Sequence, residues 1–194
     1  MSIFLILLSL AIWGVIHSIL ASHFAKDMLK GFFGRLYRLG YNVFAVVSFA
    51  PILYLAATLP DAPVYRVPAP WSFVMMGIQL LSALLLLIAL LQTDTLSFVG
   101  LRQLFEEEKP ERLITRGLYK LIRHPLYTFS LMFVWFTPTM SRNSLTLYVG
   151  VTLYLFVGAY FEERKLLREY GEDYAEYKRK TPMMIPGLVL SRKN

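Results

Sequence analysis

Arg123-His124-Pro125-Leu126-Tyr127 opens an apolar run that continues to Met140. Ser141-Arg142-Asn143-Ser144 interrupts it, and a second apolar run, Leu145–Phe161, closes on Glu162-Glu163. Two such runs joined by so short a polar turn predict a helical hairpin, which returns the chain to the face where it began. His124 and the glutamates are therefore expected at one membrane face. A titratable cluster at a bilayer boundary is costly unless it does something. Proline at the first helical position, preceded by a polar capping residue, is a good helix start. His124 is thus expected as the N-cap and Pro125 as the first helical residue, with Tyr127 on the same side of the opening turn. The backbone N–H groups of such a turn favour an anion such as a carboxylate. Each residue also has a plainer reading. Arg123 and His124 serve as interface anchors, Tyr127 belongs to an aromatic belt, and the two acids pair with Arg164 or Lys165 where a helix leaves the membrane. Their convergence favours a site.

Working outward, Ile3–Leu20, Tyr41–Leu59 and Trp71–Leu91 each have the roughly 20 apolar residues that a hydrocarbon core of about 30 Å requires. The 194 residues are 56% hydrophobic, with a mean hydropathy of +0.51. The fold expected is all-α: a polytopic membrane protein with five transmembrane helices and a cytoplasmic C-terminal helical cap. Residues 1–194 read as a single membrane domain. Its spans lie at about 3–20, 41–59, 71–91, 125–140 and 145–161, its cytoplasmic loop at 93–124 and its cytoplasmic tail at 164–194. The first run lacks a basic segment ahead of it, so it reads as a span and not as a signal peptide.

Charge orients the spans. Of 20 Lys and Arg, all but Arg66 and Arg142 fall between spans one and two, between spans three and four, or after span five. Basic residues collect on the cytoplasmic side, so the N-terminus is expected outside and the C-terminus inside. Of the 13 acids, only Asp61 falls on the other side. The net charge of +7 is assigned to anionic lipid headgroups and topology, not to nucleic acid. The chain has no Cys, which excludes disulfides, thiolate metal sites and thiol nucleophiles, and no metal site is expected. Asp61 through Pro70 reads as an outer Pro-rich turn. In the tail, Leu166, Leu167, Tyr170, Tyr174 and Tyr177 mark an amphipathic helix that folds back over the cytoplasmic mouth. Gly171 is expected to break it, and Pro182 to Pro186 to end it as an extended apolar strip.

Gly117-Leu118-Tyr119, the 123–127 pentapeptide, Glu162-Glu163-Arg164-Lys165-Leu166, and Tyr170 through Tyr177 with Pro182 and Pro186 agree in order and spacing with one family. They resemble the isoprenylcysteine carboxyl methyltransferases, relatives of the membrane phospholipid methyltransferases, over roughly residues 100–186. The resemblance implies S-adenosylmethionine as cofactor, with contacts at Gln103, Leu113, Ile114, Tyr119, His124, Pro125, Leu126, Tyr127 and Glu162. The residue types suit those roles: His124 and the helix start for the cofactor carboxylate, Glu162 for a cation, Leu113 and Ile114 for adenine. The resemblance also implies a lipophilic acceptor, such as the carboxylate of an isoprenylated cysteine. A carboxylate is ionised at neutral pH and needs no base. An amine acceptor would need one, and Tyr127 and Glu163 are the candidates. Two positions depart from the family pattern: Phe129 stands where Gly is common, and Gly158 where prenylcysteine-specific members carry Arg. No Gly-x-Gly-x-x-Gly follows a strand, so a soluble Rossmann-type enzyme is unsupported. Alternatives are an NADPH-dependent sterol-reductase-like enzyme or a non-catalytic membrane protein of the same fold. The reductases read Arg-His-x-Asn-Tyr-x-Gly-Asp, where this chain has Pro125-Leu126 and Phe129-Ser130.

Overall fold

The structure is a computed structural model and describes residues 1–106 and 112–187, so Lys109, Arg192 and Lys193 of the charge count lie outside the described residues. Its helices are α1 (Ser2–Ala21), α2 (His23–Phe33), α3 (Tyr37–Thr58), α4 (Trp71–Gln92), α5 (Thr95–Val99), α6 (Arg102–Phe105), α7 (Leu118–Leu121), α8 (Pro125–Trp135) and α9 (Arg142–Lys180). A 3-10 turn covers Gly34–Leu36, and two short strands, β1 (Pro63–Arg66) and β2 (Thr139–Ser141), pair antiparallel with Tyr65 opposite Met140.

The first three expected spans are present as α1, α3 and α4. Ser2–Ala21, Phe24–Thr58, Trp71–Gln92 and Arg142–Lys180 are long and apolar enough to cross a membrane. The segment expected as the fourth span differs. It is helical only over the 11 residues of α8, about 16 Å at the usual rise, which is shorter than a bilayer core. Pro138 cannot continue the helix. The next residues pair with β1 instead, and the carbonyl of Pro138 accepts from Val67 N (2.9 Å). Among the described residues four helices therefore reach spanning length, and a count of five is not established.

The chain divides into two compact units. The first comprises Met1–Arg66, Asp94–Lys109 and Thr139–Val151. Its core is Ile6, Leu10, Ile52 and Leu147, flanked by Trp13, Phe49 and Tyr148. A side chain at Gly150 would run into Leu10, so the α1 and α9 backbones approach closely there. Asp61 Oδ1 accepts from Ala62 N (2.8 Å) and Asn143 N (2.9 Å) and so caps the start of α9. Asn42 ties α5 to α3 by donating to the carbonyls of Phe98 (2.9 Å) and Val99 (2.8 Å).

The second unit comprises Val67–Thr93, Pro110–Pro138 and Thr152–Asn194. Here α8 lies against α4, with Gln79 Nε2 donating to Phe133 O (2.8 Å). Trp135 Nε1 donates to Thr152 Oγ1 (3.0 Å), which holds α8 to α9. Gly171 takes φ 55°, ψ −125°, a backbone conformation open to glycine, and breaks α9 where the sequence places the break. Beyond it Tyr174 and Tyr177 turn inward and are buried. The strip after α9 lies along the opening of α8, as Arg123 N donates to Pro182 O (2.9 Å), His124 N to Met183 O (3.0 Å) and Thr128 Oγ1 to Met184 O (3.0 Å).

Candidate functional site

The site grows from the start of α8. His124 sits at the N-cap and Pro125 opens the helix, as a proline-led start requires. The His124 ring is parallel to that of Tyr127, with centroids 5.3 Å apart and an interplanar angle of 5°. Tyr127 OH donates to Glu162 Oε2 (2.7 Å), and His124 Nδ1 lies 3.7 Å from the same oxygen. His124 Nε2 lies 3.4 Å from Glu163 Oε1 but outside hydrogen-bond geometry, so this buried nitrogen has no hydrogen-bond partner among the described residues. The hairpin logic thus brings His124, Tyr127 and the glutamates together.

Glu162 and Glu163 are neighbours in sequence with opposite surroundings, just beyond the apolar stretch that ends at Phe161. Glu163 is buried. Its Oε1 accepts from Arg123 Nε (2.8 Å) and Nη2, and Lys178 Nζ lies 2.7 Å from Oε2. Arg123, 7% exposed like its partner, also donates through Nη1 to the carbonyls of Lys178 (3.1 Å) and Thr181. A buried ion pair of this kind persists only because every desolvated charge is hydrogen-bonded. Burial alone would raise the Glu163 carboxyl, but the His124, Lys178 and Arg123 groups gathered around it outweigh that and hold the carboxyl at about 2. Glu162 instead is 43% exposed. Its hydrogen bond among the described residues is the one from Tyr127, received at Oε2. Two cations pair with Glu163, whereas among the described residues no Lys or Arg pairs with Glu162.

Tyr119 stands in the α7 turn. Burial, and then the charge of Glu162, push its phenol up to about 12, so it stays a donor. Its carbonyl accepts from Tyr177 OH. The turn itself rests on Gln92, whose Oε1 accepts from Leu118 N (2.8 Å).

The sequence-derived residues therefore separate into groups. His124, Tyr127 and Glu162 converge, Pro125 and Leu126 form the first turn of α8 beside them, and Tyr119 is near enough to feel the charge of Glu162. Leu113 and Ile114 are half-buried in the irregular segment before Gly117. Gln103 belongs to the first unit, where its Nε2 donates to Ser97 O (3.1 Å). Glu163 is set apart by its ion pairs. Sequence reasoning missed Lys178 and Thr181 as partners of Arg123, and it missed Gln92. The only signal for Gln92 is that it is the one polar residue closing the otherwise apolar end of α4.

Over residues 71–173, just over half of its length, the chain matches the phospholipid methyltransferase family. It is 32% identical to methanethiol S-methyltransferase 2 of Bradyrhizobium diazoefficiens over 136 residues, 68% of this chain and 52% of that protein. It is 28% identical to methanethiol S-methyltransferase 1 of the same organism over 187 residues, 93% of this chain and 65% of that protein. It is 35% identical over 85 residues to the protein-S-isoprenylcysteine O-methyltransferase of Xenopus laevis, 42% of this chain and 29% of that protein. The chain spans between about half and two thirds of the length of the two methanethiol relatives. No solved structure matches. The matched stretch contains α4, α7, α8, Glu162 and Glu163.

Proposed function

This chain belongs to the phospholipid methyltransferase family, whose isoprenylcysteine-methyltransferase-like members it resembles, and from that premise we propose that it is an integral membrane methyltransferase using S-adenosylmethionine. One observation carries the reading. Of two adjacent glutamates, Glu163 is paired with Arg123 and Lys178, while Glu162, beside the opening turn of α8, has no Lys or Arg partner among the described residues. A half-exposed carboxylate without a cationic partner among the described residues suits a cationic ligand group, and the start of a helix suits an anionic one. S-adenosylmethionine carries both.

When bound, the cofactor supplies a methyl group on a cationic sulfur. The protein holds it in place. His124 and the first turn of α8, with Pro125, Leu126 and Tyr127, meet the carboxylate end. Glu162 meets a cation, Tyr119 lines the wall, and Leu113 and Ile114 flank adenine. Buried Tyr174 and Tyr177 keep water from the pocket. Positioning and water exclusion are then the main catalytic contributions.

The acceptor reading follows from Glu163. A carboxylate that already accepts from Arg123 and lies against Lys178 is a clamp and not a base. Tyr127 remains the one candidate for moving a proton. An acceptor that is ionised near neutral pH fits best, and a lipophilic one is expected because the cytosolic route is covered by the Tyr170–Tyr177 segment. The carboxylate of an isoprenylated cysteine is the first compound to try. A thiol is the second reading, favoured by the methanethiol relatives and by Gly158, which leaves open space where a cationic side chain would meet a substrate carboxylate. A single membrane domain with its N-terminus outside completes the proposal.

Binding of labelled S-adenosylmethionine against NADPH by purified protein tests the reading. Retention of the methyl donor alone supports it, and the family match already favours it over a reductase. Retention of NADPH alone, or of neither ligand, would overturn it. Methyl incorporation into prenylcysteine and into small thiols then separates the two acceptor classes.

A further inference from the structure

We propose that Gln92, the last residue of α4, is a positioning residue that holds the Gly117–Tyr119 turn in its working place. The inference rests on the reading of Tyr119 as a cofactor contact.

Gln92 is not needed to finish its own helix. Thr93 does that, donating to the carbonyl of Leu90 through both N (3.1 Å) and Oγ1 (2.6 Å). The Gln92 side chain reaches away and accepts from Leu118 N (2.8 Å). Leu118 opens the four-residue helix α7, so its amide has no partner within that helix. Gly117 takes φ 61°, ψ −130°, and a Cβ there would run into the Gln92 side-chain amide. Glycine at 117 therefore serves twice. It permits the left-handed backbone, and it makes room for the amide that closes on the turn. Tyr119 follows directly, its carbonyl receiving the Tyr177 hydroxyl. The turn is thus pinned from the α4 side by Gln92 and from the end of α9 by Tyr177. Losing one pin orphans the Leu118 amide and frees the turn to shift, which a side chain that must meet a ligand cannot tolerate.

The test uses two full-chain variants purified in detergent. Gln92→Met keeps the approximate shape and removes the acceptor, whereas Gln92→Glu keeps an acceptor oxygen. The first readout needs no cofactor: the rate of limited trypsin cleavage after Arg116 and Lys120, both exposed and flanking the turn. Cleavage in Gln92→Met should rise about fivefold or more, and in Gln92→Glu it should stay within about twofold of wild type. The second readout is the split between KM and kcat. KM for S-adenosylmethionine should rise about fivefold in Gln92→Met with kcat within about twofold, and Gln92→Glu should restore it. Wild-type cleavage in Gln92→Met overturns the proposal whatever the kinetics. Faster cleavage with an unchanged KM overturns it as well, since the turn would then be free without consequence for the site. A wild-type protein that binds no S-adenosylmethionine removes the functional reading, and the cleavage rates still decide whether Gln92 holds the turn.

Discussion

Each of the two units holds a histidine stacked on an aromatic ring, with a tyrosine hydroxyl close by. In the first, His17 lies 4.7 Å from the Trp13 ring and 2.7 Å, through Nε2, from Tyr41 OH. Trp13 in turn donates to Ser48 Oγ (3.1 Å) and Ala45 O (3.2 Å). In the second, His124 is stacked on Tyr127, whose hydroxyl goes on to Glu162. The same two residue types build both clusters. The His17 cluster spends its polar groups joining α1 to α3 inside an apolar pair. The His124 cluster adds two carboxylates and only enough buried cation for one of them. A histidine and a tyrosine at a helix interface are packing; a carboxylate without a cationic partner beside a helix start is what marks a candidate site.

The sharpest way to break this comparison is Arg123→Ala. It takes from Glu163 its buried partner, leaving the half-exposed Lys178, and strands two carbonyls, a loss of about 3–5 kcal/mol for a buried pair missing one partner. The melting temperature in detergent should fall further than for any substitution in the His17 cluster. An unchanged melting temperature would show that the Arg123–Glu163 pair holds nothing.

Acid should act through the same residue. Glu163 is held at about 2 against an ordinary value of 4.5. A lowered folded-state value means that its contribution to stability is full above about 4.5 and is lost as pH falls towards 2. Acid unfolding followed by tryptophan fluorescence should have a limb in this window that Glu163→Gln removes. Glu162→Gln should leave that limb in place.

Binding sharpens the contrast from the other side. Glu162→Gln and His124→Ala should each weaken S-adenosylmethionine binding by about tenfold or more, roughly 1.4 kcal/mol by calorimetry. Their melting temperatures should move far less than that of Arg123→Ala. Wild-type affinity in both folded variants would refute the assigned pocket. The smallest effect belongs to Tyr41→Phe, which removes one hydrogen bond of about 0.5–1.5 kcal/mol. It should lower the melting temperature slightly and leave cofactor affinity unchanged. Weakened binding in that variant would show that the two clusters are coupled and the comparison misplaced.

Much of this was readable in the chain. Hydropathy alone places α1, α3 and α4, because a bilayer core fixes the length of an apolar helix. The proline at 125 and the glycine at 171 mark a helix start and a break through local backbone preference, and both stand where expected. The fourth apolar run misled for a definite reason. Hydropathy does not distinguish a long helix from a short one followed by a strand, and Thr139–Ser141 goes to β1, more than 70 residues earlier in the chain. A partner at that distance has no signature in a local window.

The site shows the same division. Sequence determined the residue types at the start of α8 and at the end of the last apolar run, and a hairpin was enough to predict that they meet. It could not assign the two glutamates. Glu162 and Glu163 differ by about 100° around a helix, a little over a quarter of a turn, and that rotation turns one toward Tyr127 and the other toward Arg123. Lys178 and Thr181 reach the pair only because Gly171 redirects the chain. Which carboxylate is paired with cations and which stays half-exposed depends on side chains distant in sequence meeting in a place with little water to screen them, and tertiary structure alone decides that.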